Sequence, residues 1–539
     1  MRRGNKLYKR VSRIALVCLV VVVAAGCSSR QSGRANQASS KSLYGPSVLV
    51  NVNASKYEGF QINKDLIGVN GPGPQEAIAN LKKIGVHWVR TDVSLDATTN
   101  GVLNYNCQTG SWNPESLDAK VAQIRQEGGT PLEIIDYTPK CLAANPNLSN
   151  WSRQAPDLGS NQAKWDSLIS QVAEHEIKVQ GVRYFEVWNE PDWVFFNGGL
   201  SEYLQLYKNT ALAIEGVARS LGVKVYIGGP ALADVLDTQD MNWLGPLLQF
   251  VSANRLPLDF ITWHSYANDP YAGPISVGGP EFCLGRSNGP GSNPCYYNPN
   301  FNPDTIRNEV IQTENALKAY PNIKPLLIVD EWNLDGDYDP RQSQTYDAAY
   351  VASVLESVNS IGLNGMCFFN VNDSPNNPAN NWGLLTAKFK PKPVYEAFRF
   401  WKMMQPYEAS SAVTSIAGTK PGEQYAIANN FSNGQVGVLG STDSKKSQPS
   451  KVSILLYNFK PYDLSGNYGT TDPTPYDRRI DLTVSGLKDS QYKIVRRLQD
   501  GNHLGTIVSS STVQVKNGKL DLNFTLAGEG VELVELIGA

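Results

Sequence analysis

From Leu66 to about Met404, short apolar runs alternate with segments of helical periodicity. The runs Leu66–Asn70, Val86–Asp92, Pro131–Tyr137, Val182–Asn189, Val223–Gly229, Asp259–His264, Leu326–Glu331 and Gly365–Asn370 have the length and composition of buried strands. Between them, packing side chains recur at i, i+3, i+4 and i+7. Trp165, Leu168, Ile169 and Val172 form one such stripe, and Tyr203, Leu206, Tyr207 and Thr210 another. A last helix, Val394 to Met403, is expected just after Pro393, whose fixed φ suits a first helical turn. Eight strand–helix units predict an α/β fold, a (β/α)8 TIM barrel over residues 66–404. The competing α/β architecture is a doubly wound open sheet. The first strand–helix turn lacks the glycine-rich dinucleotide fingerprint of that fold, which favours the barrel.

The pattern changes after about Pro406. Val452–Tyr457, Ile480–Val484, Tyr492–Arg496 and Val531–Leu536 alternate without helices between them. Asn433-Gly434 and Asn517-Gly518 each separate two strand-like runs and read as hairpin turns. Residues 405–539 are therefore expected to form a β-sandwich of seven to nine strands. Ser47–Val52 is also strand-like, so residues 47–65 are expected to join that sandwich.

The first 26 residues fall outside both patterns. Arg2, Arg3, Lys6, Lys9, Arg10 and Arg13 precede the apolar run Ile14 to Ala25, which is short for a membrane span. Ala24-Ala25-Gly26-Cys27 resembles a lipoprotein processing site, with Cys27 as the lipidated N-terminus; an ordinary secretory signal is the alternative. Residues 27–46, rich in Ser, Gln and Gly, read as a flexible tether. The expected location is extracytoplasmic, lipid-anchored to a membrane the chain does not cross. Six of the 48 basic residues and none of the 50 acidic ones lie before Cys27, so the remainder carries a net charge of −8. No basic cluster follows the signal, which argues against a nucleic-acid partner. The sequence carries no signal for an oligomeric state.

An oxidising compartment permits disulfides. Cys283 and Cys295 share one Gly/Pro/Asn-rich segment, and Cys107 and Cys141 fall in successive loops on one barrel face; both pairs are disulfide candidates. Cys367 lies inside an apolar run and reads as a buried free thiol. No Cys/His spacing resembles a metal site, and no cofactor is expected.

Two tetrapeptides carry the candidate chemistry: Trp188-Asn189-Glu190-Pro191 and Asp330-Glu331-Trp332-Asn333. Each sets a glutamate at the end of an apolar, strand-like run, where barrels keep their working residues. Two carboxylates facing each other across a scissile bond are what retaining hydrolysis of a sugar linkage requires. A lone Asn-Glu-Pro is a common turn. It gains weight from the second glutamate three strand–helix units later.

With Trp88-Val89-Arg90 on the second strand, Trp263-His264-Ser265-Tyr266 after the sixth and Lys392-Pro393-Val394-Tyr395-Glu396-Ala397-Phe398 in the last helix, the chain resembles the clan A glycoside hydrolases. It is most like family 39, which includes β-xylosidases, α-L-iduronidases and exopolysaccharide glycosidases. The resemblance implies Glu190 as acid/base and Glu331 as nucleophile. It also implies Tyr266 as a donor to Glu331, and Asn189, His264 and Arg90 as supporting or sugar-binding groups. Arg90 is open to a second reading, a structural ion pair with Glu186 inside the barrel. His264 and Tyr266 have a second reading as satisfied core groups. Trp193, Trp332 and Trp382 are aromatic candidates for stacking on sugar, of which Trp382 is preferred.

The expected substrate is an oligo- or polysaccharide, cut at β-linkages without a cofactor. The long segment from Ala267 to Asn302 is expected to wall the cleft. One departure from the family stands out: Asn370-Val371-Asn372-Asp373 replaces the acidic residues by which its xylosidases hold a terminal pentose. An endo-acting glycosidase on a surface or exopolysaccharide is thus the alternative to an exo-xylosidase-like enzyme. A sugar-binding protein on a catalytically dead barrel is a third reading, disfavoured because both glutamates are present.

Overall fold

The computed structural model describes residues 45–235, 243–267, 304–336, 339–377, 380–416, 435–459 and 477–539. Cys27, the Cys283–Cys295 pair, the Asn433-Gly434 turn and nearly all of the 267–302 segment lie outside the described residues.

Eight parallel strands close a barrel in sequence order: Gly68–Asn70, Trp88–Asp92, Thr130–Ile135, Tyr184–Val187, Tyr226–Leu232, Phe260–Tyr266, Leu326–Asn333 and Leu363–Phe368. They are called barrel strands one to eight below. A helix follows each: α1 Ile78–Ile84, α2 Glu115–Glu127, α3 Leu158–His175, α4 Leu200–Leu221, α5 Leu244–Asn254, α6 Thr305–Leu317, α7 Thr345–Val358 and α8 Pro393–Met403. The i, i+3, i+4, i+7 stripes of α3 and α4 are fully buried, so the apolar periodicity marks the faces that seat these helices on the barrel. The barrel's inner floor is a small apolar plug of Trp88, Leu132, Phe260, Ile328 and Cys367. Cys367 is a buried free thiol there, and Cys107 is bonded to Cys141.

The second layer is one nine-stranded ladder. Gly45–Gln61 lies within it, antiparallel to Tyr407–Ile416 and parallel to Arg478–Ser485, so an N-terminal segment joins strands from the C-terminal region. Lys451–Phe459 shows how this sheet meets the barrel. Val452, Ile454 and Leu456 face the sheet's own core, while Leu455, Tyr457 and Phe459 belong to the barrel's cluster. Phe459 packs on Tyr346 of α7 at 5.1 Å, and the Tyr457 hydroxyl donates to Glu356 Oε2 at 3.1 Å. The period-2 alternation thus faces two hydrophobic cores, not a core and solvent.

The hairpin expected at Asn517-Gly518 needs correction. Both residues have positive φ (55° and 64°), as a tight turn of this kind demands. The strands it joins do not form a ladder, however. Thr506–Gln514 pairs with Gln491–Gln499, and Lys519–Leu526 pairs with Arg478–Ser485. They are the two edges of the nine-stranded order, and a Lys516–Lys519 bridge closes the turn between them. Sheet twist curls the ladder until its edges meet at this turn, which local sequence cannot distinguish from an ordinary hairpin.

Candidate active site

Glu190 and Glu331 face each other at the C-terminal mouth of the barrel. One carboxylate oxygen of each, with a ring nitrogen of His264, lie within 4.8 Å of one another. Both glutamate side chains keep some contact with solvent, 13% and 15% exposed, while the groups around them are buried.

Backbone strain sets Glu190. Trp188 and Glu190 adopt φ of 75° and 44°, a region costly for residues with a Cβ. Packing and hydrogen bonds hold this turn. Trp188 is fully buried and its Nε1 donates to the Phe195 carbonyl at 3.2 Å. The Glu190 amide donates to the Ala231 carbonyl at 2.9 Å, and the Tyr203 hydroxyl to the Val187 carbonyl at 2.9 Å.

A register shift sets Glu331. On one side of barrel strand seven, Val329 is paired with Trp263, yet Glu331 is paired with the next residue, His264. Against strand eight the register also shifts, between Val329 and Trp332. In an unbroken strand, Asp330 and Glu331 would point to opposite faces. The bulge lets both consecutive carboxylates reach the barrel axis.

Arg90 joins these elements. Its Nε donates to Glu186 Oε2 at 2.8 Å and lies 2.8 Å from Asp330 Oδ2; Nη1 reaches Glu331 Oε2 at 3.2 Å and Asn70 Oδ1 at 3.3 Å; Nη2 donates to Asn189 Oδ1 at 2.8 Å. The two readings of Arg90 coexist in one fork: the structural pair with Glu186 and the contacts to Asn189 and Glu331 use different nitrogens. Asn70 also anchors strand seven by donating Nδ2 to the Asp330 carbonyl at 2.8 Å.

His264 bridges the two glutamates. Nδ1 is 2.7 Å from Glu190 Oε1, and Nε2 faces Asp330 Oδ2 at 3.5 Å and Glu331 Oε2 at 3.7 Å. Burial opposes its charge, but Glu331, Asp330 and Glu190 together hold the imidazole well above its usual range, which favours its charged form. Tyr266 donates its hydroxyl to Glu331 Oε1. Burial pushes the Glu331 carboxyl up, while His264, Arg90 and the Tyr266 hydroxyl favour its ionised form. Asp330 sits below the ordinary range despite its burial, because Arg90 and His264 face it. Beneath them burial pushes the Glu186 carboxyl up to about 8, against the pull of Arg90.

The fold therefore brings together Arg90, Asn189, Glu190, His264, Tyr266 and Glu331. Trp382 lies at the ends of barrel strands seven and eight. Its ring is 5.3 Å from that of Phe369, and its carbonyl accepts from the Asn370 amide and Asn333 Nδ2, both at 3.0 Å. Trp332 is instead fully buried among Tyr350, Phe368 and Phe398, which makes it packing.

Sequence reasoning overlooked Asp330, Asn70 and Tyr137, the last hydrogen-bonded with Asn189 and packed on Trp188. A signal existed for Asp330: counting by twos from Ile328 of the inner plug lands on it. It also overlooked Asp192, which accepts from the Ala233 amide at 3.0 Å and whose carboxyl burial pushes up to about 7.

A family model described as glycosyl hydrolases family 39 matches residues 75–279, a stretch that includes Arg90, Glu190, His264 and Tyr266 and ends before Glu331. The chain is 27% identical over 300 residues to a β-xylosidase of Caldicellulosiruptor saccharolyticus, covering 53% of this chain and 55% of that protein. It is 26% identical over 293 residues to a β-xylosidase of Geobacillus stearothermophilus, covering 51% and 53%. The chain thus matches about half the length of these curated relatives. Among solved structures it is similar to a glucosidase from Croceicoccus marinus, with TM-score 0.65, 17% identity, and 91% of this chain and 99% of the other covered. A monomeric β-xylosidase from Caulobacter crescentus gives TM-score 0.65 at 18% identity with the same coverage. At such identities these likenesses speak for the fold, a barrel with an attached β-domain.

Proposed function

We propose, from the premise that residues 75–279 belong to the glycosyl hydrolases of family 39, that this protein is a retaining glycosidase of β-linked glycans. One observation carries the reading: one carboxylate oxygen of Glu190 lies within 4.8 Å of one of Glu331, so the two groups face each other closely. Retaining enzymes keep their two carboxyl groups about 5–5.5 Å apart, whereas inverting ones need roughly 6.5–9.5 Å to admit water.

Glu331 is the nucleophile. Arg90 and Tyr266 hold its carboxylate by fixed donors that need no reorganisation during attack on the anomeric carbon, and His264 Nε2 faces it at 3.7 Å. Glu190 delivers a proton to the leaving oxygen, then takes one from the water that releases the glycosyl-enzyme. Arg90 fixes the Asn189 carbonyl oxygen, which leaves the Asn189 amide group to donate toward the sugar beside the reacting carbon.

The β-xylosidases among the relatives support an exo-acting, xylosidase-like specificity. A second reading, an endo-acting enzyme on a surface polysaccharide, is favoured by the loop after barrel strand eight. Its acidic residue, Asp373, accepts from Lys392 Nζ at 2.8 Å and from the Gly383 amide at 3.0 Å, so its carboxylate holds the loop together. The Cys27 anchor belongs to the same proposal and would keep the enzyme at the cell surface.

Glu331→Ala is expected to lower kcat on the order of 10⁴-fold, with azide restoring turnover as a glycosyl azide of inverted configuration. Glu190→Ala should lose most with poor leaving groups, and azide there should give the retained anomer. Full activity of Glu331→Ala, unchanged by azide, would sink the assignment. Product sizes from aryl glycosides and polysaccharides separate exo from endo action.

A further inference from the structure

Outside the active site, a second group of ligating side chains converges where helices α2 and α3 meet the barrel. Asp118 of α2, His175 at the end of α3 and Glu176, the first residue of the π-helix Glu176–Gln180, hold ligand atoms within 4.8 Å of one another. His175 Nε2 is 2.7 Å from Asp118 Oδ1 and 3.9 Å from Glu176 Oε1. Behind them stands Glu133 of barrel strand three. Its neighbours Leu132 and Ile134 take the opposite face by strand alternation, so Glu133 points outward, toward the helices.

Glu133 and Glu176 are fully buried and hydrogen-bonded to each other through their carboxyl groups, and no other donor among the described residues reaches their oxygens. Lys120 and Arg125 favour the charge of Glu133 from a distance, without an ion pair to either glutamate among the described residues. Two buried carboxylates facing each other need a shared proton or a cation between them. His175 and Asp118 tip the balance toward a cation. They add a nitrogen and an oxygen ligand at the same point, and they are 22% and 36% exposed, which gives an ion a way in.

We infer that Asp118, His175 and Glu176 form a structural site for a divalent metal ion, with Glu133 backing Glu176. Two carboxylates and one imidazole suit Mn²⁺ or Zn²⁺ better than Ca²⁺, which favours an all-oxygen shell. The ion would tie α2 to the α3 terminus at a single point. It takes no part in hydrolysis, and the site stands whether or not the glycosidase assignment does. The expected absence of metal rested on Cys/His spacing. A site gathered from two helices, with ligands 57 positions apart, has no such signature.

The test uses the soluble protein from residue 28 onward, stripped with EDTA and titrated separately with MnCl₂, ZnCl₂ and CaCl₂. One equivalent of Mn²⁺ or Zn²⁺ should survive gel filtration, and the melting temperature should rise saturably with that metal. Glu133→Gln/Glu176→Gln, which preserves volume, should weaken binding at least tenfold. The more exposed His175→Ala, less demanding on folding, should abolish the preference over Ca²⁺. Hydrolysis by the stripped enzyme should persist at temperatures where it stays folded. No retained metal together with no metal-dependent melting in the unmutated protein overturns the inference. So does undiminished binding in His175→Ala and the double variant, which would put the ion elsewhere.

Discussion

The barrel interior and the core of the nine-stranded sheet are both lined by alternate residues of strands, yet they are filled with opposite chemistry. The sheet encloses Val50, Val52, Ile454, Leu456, Ile480, Leu482, Val534 and Leu536, all aliphatic and almost fully buried. The barrel has such a floor only at the level of Trp88, Leu132, Phe260, Ile328 and Cys367. Above it lie Arg90, Glu186, His264 and Asp330, as inaccessible as the floor but charged or strongly polar. Aliphatic burial contributes stability wherever it occurs. Buried charge is costly to desolvate and returns that cost only through good geometry. The upper layer of the barrel therefore makes sense as preorganised electrostatics for the pair of glutamates above it.

That contrast can be broken from either side. The largest effect is expected for Arg90→Met, which removes the guanidinium that Glu186, Asp330 and Glu331 share. Breaking a buried pair in this way costs about 3–5 kcal/mol. Chemical denaturation and kcat should both register the loss. A stable, fully active Arg90→Met would mean that the charged layer is dispensable. Leu456→Ala in the sheet core should cost a comparable ~2–5 kcal/mol, but with kcat of the folded protein unchanged. A proportional fall in kcat would show that the two cores are not separable.

Smaller effects sharpen the comparison through pH. His264 favours the ionised form of Glu331, so His264→Asn should let that carboxyl rise further. The acidic limb of the kcat/KM profile should move to higher pH by roughly a unit; a move to lower pH would contradict the imidazolium's role. Glu186 gives the smallest signal. Its carboxyl is raised from 4.5 to about 8 in the fold, so the folded protein keeps a proton that the unfolded chain has released. Its contribution is fully present below about pH 4.5 and is lost as pH rises toward 8. Glu186→Gln should flatten the stability profile across that window, measured by melting temperature at each pH. An unchanged slope would remove Glu186 from the account.

Much of the site could be read in advance because barrels place function at strand ends. Once Val182–Asn189 and Leu326–Glu331 read as strands, Glu190 and Glu331 had a defined location. Arg90, His264 and Tyr266 were named by the resemblance of their motifs to family 39. Asp330 could be reached by alternation from the inward Ile328, but the same alternation sends its neighbour Glu331 to the opposite face. Only the bulge in barrel strand seven lets both carboxylates reach the axis. The sheet shows the same limit. Asn517-Gly518 makes the tight turn its residues require, but its two strands pair with others.

The sequence by itself determined the order and type of the elements, the eight strand–helix units and the two glutamates at strand ends. These follow from periodicity and from residues that dictate their own backbone geometry, both local properties. Tertiary structure decided which carboxylates share a cation, how a register slip aims Glu331, where the edges of the sheet meet and that Glu133 faces Glu176. Those depend on contacts between residues tens to hundreds of positions apart, where the free energy of burial and charge pairing outweighs any local preference.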